Sequence, residues 1–120
     1  MKPTIQGTEF GRITVADEVY ERDVVIRLSG KVKKRKKKLS KKAGGNSHTL
    51  SLGEAKHIFD KGAERLVIGT GQEGNVRLSD EAQEYFSKKG CSVELFPTPE
   101  AVEVWNKSEG NTIGMFHVTC

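Results

Sequence analysis

Residues 66–79 read LVIGTGQEGNVRLS, an apolar run that breaks into glycines and ends on a serine. With Arg65, the residues Leu66 to Ile68 form a short RLVI run of the kind found in interior parallel strands. Gly69, Gly71 and Gly74 then fall into the G-x-G-x-x-G spacing of a dinucleotide-binding turn. In that fingerprint the glycines join strand directly to helix, so that a pyrophosphate rests on free helix amides. Here NVRL (residues 75–78) intervenes before Ser79, which is placed to cap the following helix. Glu94 lies near the distance of a ribose-binding acid, but within a strand rather than at its carboxyl edge. The stretch therefore reads as strand, turn and helix start, with the turn either purely structural or a seat for an oxyanion or small molecule.

Working outward, the same alternation continues on both sides. Downstream, DEAQEYFSKKG (residues 80–90) has acids in its first turn, lysines in its last and Gly90 as terminator. SVELF (residues 92–96) is the next strand. Thr98 as N-cap and Pro99 at the first helical position open a third helix, with Ala101, Val102 and Trp105 on its apolar side. A last strand spans Thr112 to Val118. Upstream, Ser51 and Glu54 form an S-x-x-E capping box for a helix to about Lys61, ended by Gly62. Leu52, Ala55, Ile58 and Phe59 give it a buried face.

The first third of the chain reads as antiparallel strands at Phe10 to Val15 and Asp23 to Leu28, with a turn at Gly30. KVKKRKKK begins as a third strand, and Gly44, Gly45, Asn46 and Ser47 mark an irregular loop. Strands followed by α-β-α-β-α-β predict one α/β domain over residues 1–120, its sheet partly parallel, with the N-terminal strands as an extra layer or edge.

Composition narrows the setting. The 120 residues include two cysteines, Cys91 and Cys120, with no apolar core for a signal peptide at the N-terminus. No apolar run approaches the ~20 residues of a membrane helix. A soluble cytoplasmic protein without a cofactor or metal is expected; the two thiols fit a reducing compartment, and a Cys91–Cys120 bridge has no support in the sequence. The net charge of +4 is unevenly spread. Nine of the 20 basic residues are Lys31, Lys33, Lys34, Arg35, Lys36, Lys37, Lys38, Lys41 and Lys42, and no acid lies among them. Elsewhere 11 basic residues face 16 acidic ones, so a mildly acidic body carries one strongly basic segment.

That segment offers a nucleic-acid alternative, with a log-log salt slope near −5 if about six phosphates are contacted. Against it stand the lack of interleaved aromatics and of a nucleic-acid fold. A solvated loop, or docking on an acidic partner protein, are the other readings. His117 and Cys120 have opposite parity if they share a strand, so they point to opposite faces, whereas His117 and Thr119 share one. His48, His57 and Cys91 are too scattered for a metal site. Trp105 is read as core, and Asn106 as bonding either loop backbone or a ligand.

LVIGTGQEG, PTPEAVEVWN and GMFHVTC, in that order and spacing, together with the early DVVIRLSGKV, resemble the Mth938-like family over nearly the whole chain. The basic tract departs from relatives that often carry tryptophans before the position of His48. The resemblance implies a three-layer fold with a central mixed sheet. Mitochondrial relatives are assembly factors for respiratory complex I, a vertebrate relative is linked to fat-cell differentiation, and archaeal and bacterial members largely lack an assigned function. No catalytic activity is implied. By motif, the resemblance carries a pocket onto Gly69, Thr70, Gly71, Thr98, Ala101, Asn106 and His117. The expectation is a non-enzymatic binding or assembly-type domain with a small polar pocket at the glycine turn, holding a small anion or serving a protein partner. The alternatives are a nucleic-acid module acting through residues 31–42 and an enzyme of unknown reaction. Gly71→Val is expected to block the pocket and spare the fold.

Overall fold

A computed structural model describes residues 2–42 and 48–120, with the side chain of residue 42 excepted. The loop expected at Gly44 to Ser47 lies outside the described residues. In chain order the elements are β1 Ile5–Glu9, β2 Arg12–Val15, β3 Glu18–Tyr20, β4 Val24–Ile26, β5 Val32–Lys34, α1 Lys38–Lys42 and β6 Thr49–Leu50. They continue as α2 Leu52–Ile58, β7 Arg65–Thr70, β8 Arg77–Leu78, α3 Asp80–Lys88, β9 Ser92–Phe96, α4 Thr98–Lys107 and β10 Thr112–His117.

The main sheet has five strands in the order β5-β4-β10-β7-β9. β10 runs parallel to β7 and antiparallel to β4, and β7 runs parallel to β9, so the sheet is mixed. Both central strands, β7 and β10, read as continuous apolar runs because helices or strands cover both of their faces. Alternation along them divides the core in two. Leu66, Ile68, Ile113, Met115 and Val25 pack toward Ala55, Ile58 and Phe86 of α2 and α3. Val67, Phe116, Val24 and Ile26 pack on the other side toward Ala101 and Trp105 of α4 and Ile5, Ile13 and Val15 of β1 and β2. The antiparallel β1-β2-β3 sheet thus shares a layer with α4, and the three layers match the expected architecture.

Local chemistry sets the boundaries. Gly30 turns β4 into β5 at φ +91°, a conformation costly for a residue with a Cβ. Ser51 caps α2 as expected, its Oγ accepting from the Glu54 N–H at 3.3 Å. The helix ends at Ile58 rather than Lys61, because Phe59 turns extended at φ −60°, ψ 134°. Ser79 caps α3 the same way through the Ala82 N–H at 3.1 Å. β1 and β3 were not legible as strands. Phe10, expected in a strand, lies in the turn between β1 and β2 and is 65% exposed.

α4 begins differently from its reading. Pro97 occupies the N-cap position with no side-chain cap, so Thr98 is the first helical residue and Pro99 the second. The Thr98 hydroxyl is drawn away from the helix amides by two stronger demands, from the glycine turn and from the end of β10.

Candidate functional site

Met115 faces α2 and α3, so the two-residue period of β10 turns His117 toward them as well. His117 is in register with Thr70 of β7, and Phe116 is in register with Val24, which brings Asp23 beside His117. Just past the end of β5 the Arg35 N–H donates to the Asp23 carbonyl at 3.2 Å. Thr70, His117, Asp23 and Arg35 therefore form a polar row across the carboxyl edge of the parallel strands, the edge at which open α/β sheets place their sites.

Asp23 is the hub of the row. Its Oδ2 accepts from Arg35 Nη1 at 2.9 Å and from His117 Nδ1 at 2.6 Å, with Lys37 Nζ at 3.5 Å. Its Oδ1 accepts from the Val118 N–H at 2.9 Å. Burial pulls the carboxyl pKa upward, but the bonds from His117 and Val118 and the proximity of His117 and Lys37 prevail and hold it at about 2. An ionised Asp23 fixes the proton on His117 Nδ1, leaving Nε2 to face Thr119 Oγ1 at 3.2 Å. The shared face expected for His117 and Thr119 is thus realised. The imidazole ring is enclosed, with His117 only 1% exposed.

Arg35, counted in sequence with the basic patch, turns inward and is 2% exposed. Burial works against its charge, but Glu54 and then Asp23 more than restore it. Nε and Nη2 of Arg35 both reach the Glu54 carboxylate, the latter at 3.1 Å. Ser40 Oγ also donates to Glu54 Oε1. The capping box is consequently only half made: Glu54 leaves Ser51, whose N–H donates instead to Ser40 Oγ at 3.0 Å. Neither Asp23, Ser40 nor Glu54 was singled out as a site residue. The signal for Glu54 was available, since an acid on the buried side of an amphipathic helix needs a cation.

The residues of the proposed pocket separate into two groups. Gly69, Thr70, Gly71, Thr98 and His117 come together. Thr98 Oγ1 accepts from the Gly71 N–H at 2.9 Å and donates to the His117 carbonyl at 2.6 Å. Gly69 lies within β7, and a Cβ there would stand 2.9 Å from Thr98 Oγ1 and from Phe116 Cδ1. Gly71 has φ +108°, and a Cβ there would meet the Cys120 carbonyl carbon and oxygen at 2.6 Å and His117 Cδ2 at 2.9 Å. The turn is therefore packed against the chain's own backbone, and Gly71→Val would disturb the fold rather than spare it. Ala101 is buried one turn along α4. Asn106 lies at the far end of that helix, where its Oδ1 accepts from the Ile5 N–H at 2.9 Å and its Nδ2 donates to the Ile5 carbonyl at 2.8 Å.

Glu94 pairs with Arg65 across the β7–β9 ladder, with Nη2 to Oε1 at 2.8 Å, so it is committed as a cross-strand partner. Trp105 is core, its Nε1 donating to the Pro3 carbonyl at 2.9 Å. Cys91 and Cys120 are both free thiols. Cys120 Sγ lies 3.5 Å from His48 Nε2, a pairing across 72 positions that strand parity could not show, and the His48 ring meets that of His117 edge-on at 5.5 Å. Among the described residues there is no cluster of His, Cys, Asp or Glu able to hold a metal. Nor is any helix among them long and apolar enough to cross a membrane.

Beside the polar row opens a cleft of about 380 Å³. Asp23 and Arg35 reach its floor, and Arg22, Lys34, Lys36, Lys37 and Lys38 line it. Lys31, Lys33 and Lys41, the other described members of the basic segment, are exposed and stand outside its lining.

Residues 5–116 match the family described as "Protein of unknown function (DUF498/DUF598)". The chain belongs to the DUF498 family. Solved structures agree. Conserved hypothetical protein PH1505 from Pyrococcus horikoshii is 28% identical over 98% of this chain and 99% of its own, with a TM-score of 0.90. The protein MT938 is 24% identical over 99% of this chain and 100% of its own, with a TM-score of 0.85. A Mth938-like domain of Bordetella pertussis shares 16% identity over 97% of this chain and 85% of its own, at a TM-score of 0.64. The resemblance to the Mth938-like family and its three-layer mixed α/β fold are thereby established for this DUF498 chain.

Proposed function

We propose that this DUF498 domain is a binding domain whose working surface is the basic cleft, and that it takes a partner bearing oxyanions. The carrying observation is the cleft of about 380 Å³ that gathers Arg22, Lys34, Lys36, Lys37 and Lys38 over the buried Asp23–Arg35 pair. The small-anion role expected at the glycine turn moves to this place, since the Thr98 hydroxyl is engaged both as donor and as acceptor. A binding role rather than a catalytic one accords with the enclosed His117 ring, which a substrate does not reach. An assembly-type domain that meets its partner through charge is a natural use of such a surface, because complementary fields set encounter rate and orientation.

Retention on a heparin column tests this reading with a generic sulfated polyanion. The chain should be retained at low salt and released as salt rises. A variant carrying Lys34→Gln, Lys36→Gln and Lys38→Gln should elute much earlier than one carrying Lys31→Gln, Lys33→Gln and Lys41→Gln, which loses equal charge outside the cleft. Equal elution of the two variants, or no retention of the parent chain, would refute it.

A further inference from the structure

The cleft draws its cations from both arms of one hairpin. Arg22 precedes β4, while Lys34, Lys36, Lys37 and Lys38 run from the end of β5 into α1. Lys34 is in register with Val24, so the ladder fixes the spacing of the two arms. Beneath them, Arg35 bridges Asp23 and Glu54 and ties the hairpin to α2. The backbone that carries the lysines is thus anchored before any ligand arrives, which lowers the ordering cost of binding.

The charges in the cleft are only partly answered from within. Lys37 approaches Asp23 at 3.5 Å, and Arg22 lies over the Tyr20 ring at 5.5 Å. No carboxylate among the described residues stands within ion-pair distance of Lys34, Lys36 or Lys38. Several ammonium groups around one concavity repel one another and concentrate anions there.

Size and lining then select among anions. A volume of about 380 Å³ sits at the small end of small-molecule sites, which run from about 300 to 1,000 Å³. Single-stranded nucleic acid is held along tracks of roughly 4–16 nucleotides with aromatic rings beneath the bases. Among the described residues, no aromatic side chain lines this cleft. Lysine ammonium groups are compact point charges with rotating donors, suited to oxygens spread along a chain rather than to the flat fork of a single carboxylate. We propose that the cleft binds a short phosphate chain, gripped by Lys34, Lys36 and Lys38 on one arm and Arg22 on the other. This rests on the cleft being the oxyanion seat argued above. The chain comes from an inorganic oligophosphate or from the tail of a nucleoside triphosphate.

Calorimetric titration of the full chain with tripolyphosphate, ATP, citrate and a short single-stranded oligonucleotide tests it. Tripolyphosphate should bind more tightly than citrate. The Lys34→Gln, Lys36→Gln, Lys38→Gln variant should weaken that binding at least about tenfold, and the equally charged Lys31→Gln, Lys33→Gln, Lys41→Gln control by less than about threefold. All six lysines are exposed, so unchanged thermal melts are expected and keep the comparison clean. ATP matching tripolyphosphate supports a nucleotide tail as a source, and ATP binding more weakly supports the inorganic chain. Citrate matching tripolyphosphate, or equal loss in the two variants, would overturn the proposal. Oligonucleotide binding without tripolyphosphate binding would overturn the phosphate chain alone, with cleft-dependent heparin retention still upholding the oxyanion seat. Loss of both would overturn the two together.

Discussion

Asp23 Oδ2 lies 2.6 Å from His117 Nδ1, joining residues 94 positions apart at the point where the antiparallel arm of the sheet meets its parallel half. Because the same oxygen also receives Arg35, it joins the ends of three neighbouring strands, β5, β4 and β10, at one atom. Its loss should therefore be felt globally.

Asp23→Asn should destabilise the fold by about 3–5 kcal/mol, since it leaves Arg35 buried with one carboxylate fewer. Urea unfolding measures the change. The carboxyl pKa falls from its ordinary 3.8 to about 2 in the folded protein, so the unfolded chain binds the proton more readily. The stabilisation is then complete above about pH 4 and disappears as pH falls through about 2, amounting to roughly 2 kcal/mol. Thermal midpoints of the parent chain should drop across that window, and the drop should be shallower in Asp23→Asn.

The two glycines Gly71 and Gly90 share positive φ, at +108° and +69°, but differ in surroundings. A Cβ on Gly71 would press on the Cys120 backbone at 2.6 Å, whereas one on Gly90 would meet nothing within 4 Å. Gly90→Ala should cost about 1 kcal/mol, the strain of a left-handed conformation. Gly71→Ala should cost clearly more, about 2–4 kcal/mol, because steric overlap adds to that strain. Comparable losses in parallel denaturation curves would contradict the packing described for the turn.

Thr98→Val keeps the side-chain shape and removes the hydroxyl shared by the Gly71 N–H and the His117 carbonyl. Leaving these buried groups unsatisfied should cost about 2–3 kcal/mol. Thr98→Ser should retain most of the stability. Were the hydroxyl a mere helix cap, the Val variant would lose only about 1 kcal/mol.

The two thiols should differ in reactivity. Cys91 is buried, and burial pushes its pKa up to about 11, whereas Cys120 is half-buried. A disulfide reagent at mildly basic pH should modify one thiol per native chain and two after denaturation. Cys120→Ser should abolish the fast reaction, and its persistence would place the accessible thiol at Cys91.

What the sequence disclosed was whatever local chemistry controls. Ser51, Ser79, Gly30 and Gly90 announced their caps and turns, and the RLVI and SVELF runs announced β7 and β9. β1 escaped because Ile5 alone of its five residues is buried, so it shows no alternation to read. Thr98 was misplaced by one position because Pro97, which lacks a capping side chain, precedes it, and its hydroxyl answers to residues 27 and 19 positions away. Arg35 looked like its neighbours in a run of lysines; only strand register against Asp23, and a helix carrying Glu54, turns it inward. Long-range pairing of this kind leaves no mark on local periodicity.

The position of β10 between β4 and β7 bears on how the chain is made. As it leaves the ribosome, the β4–β5 hairpin and the β7–β9 pair emerge as two separate half-sheets, each with an apolar edge and no ladder between them. Only Thr112–His117, translated after both, joins them. The nascent sheet must wait for Thr112–His117 to close, and a chain cut short before residue 112 would lack the ladder that joins its two halves, leaving only side-chain contacts such as Arg35 with Glu54 between them.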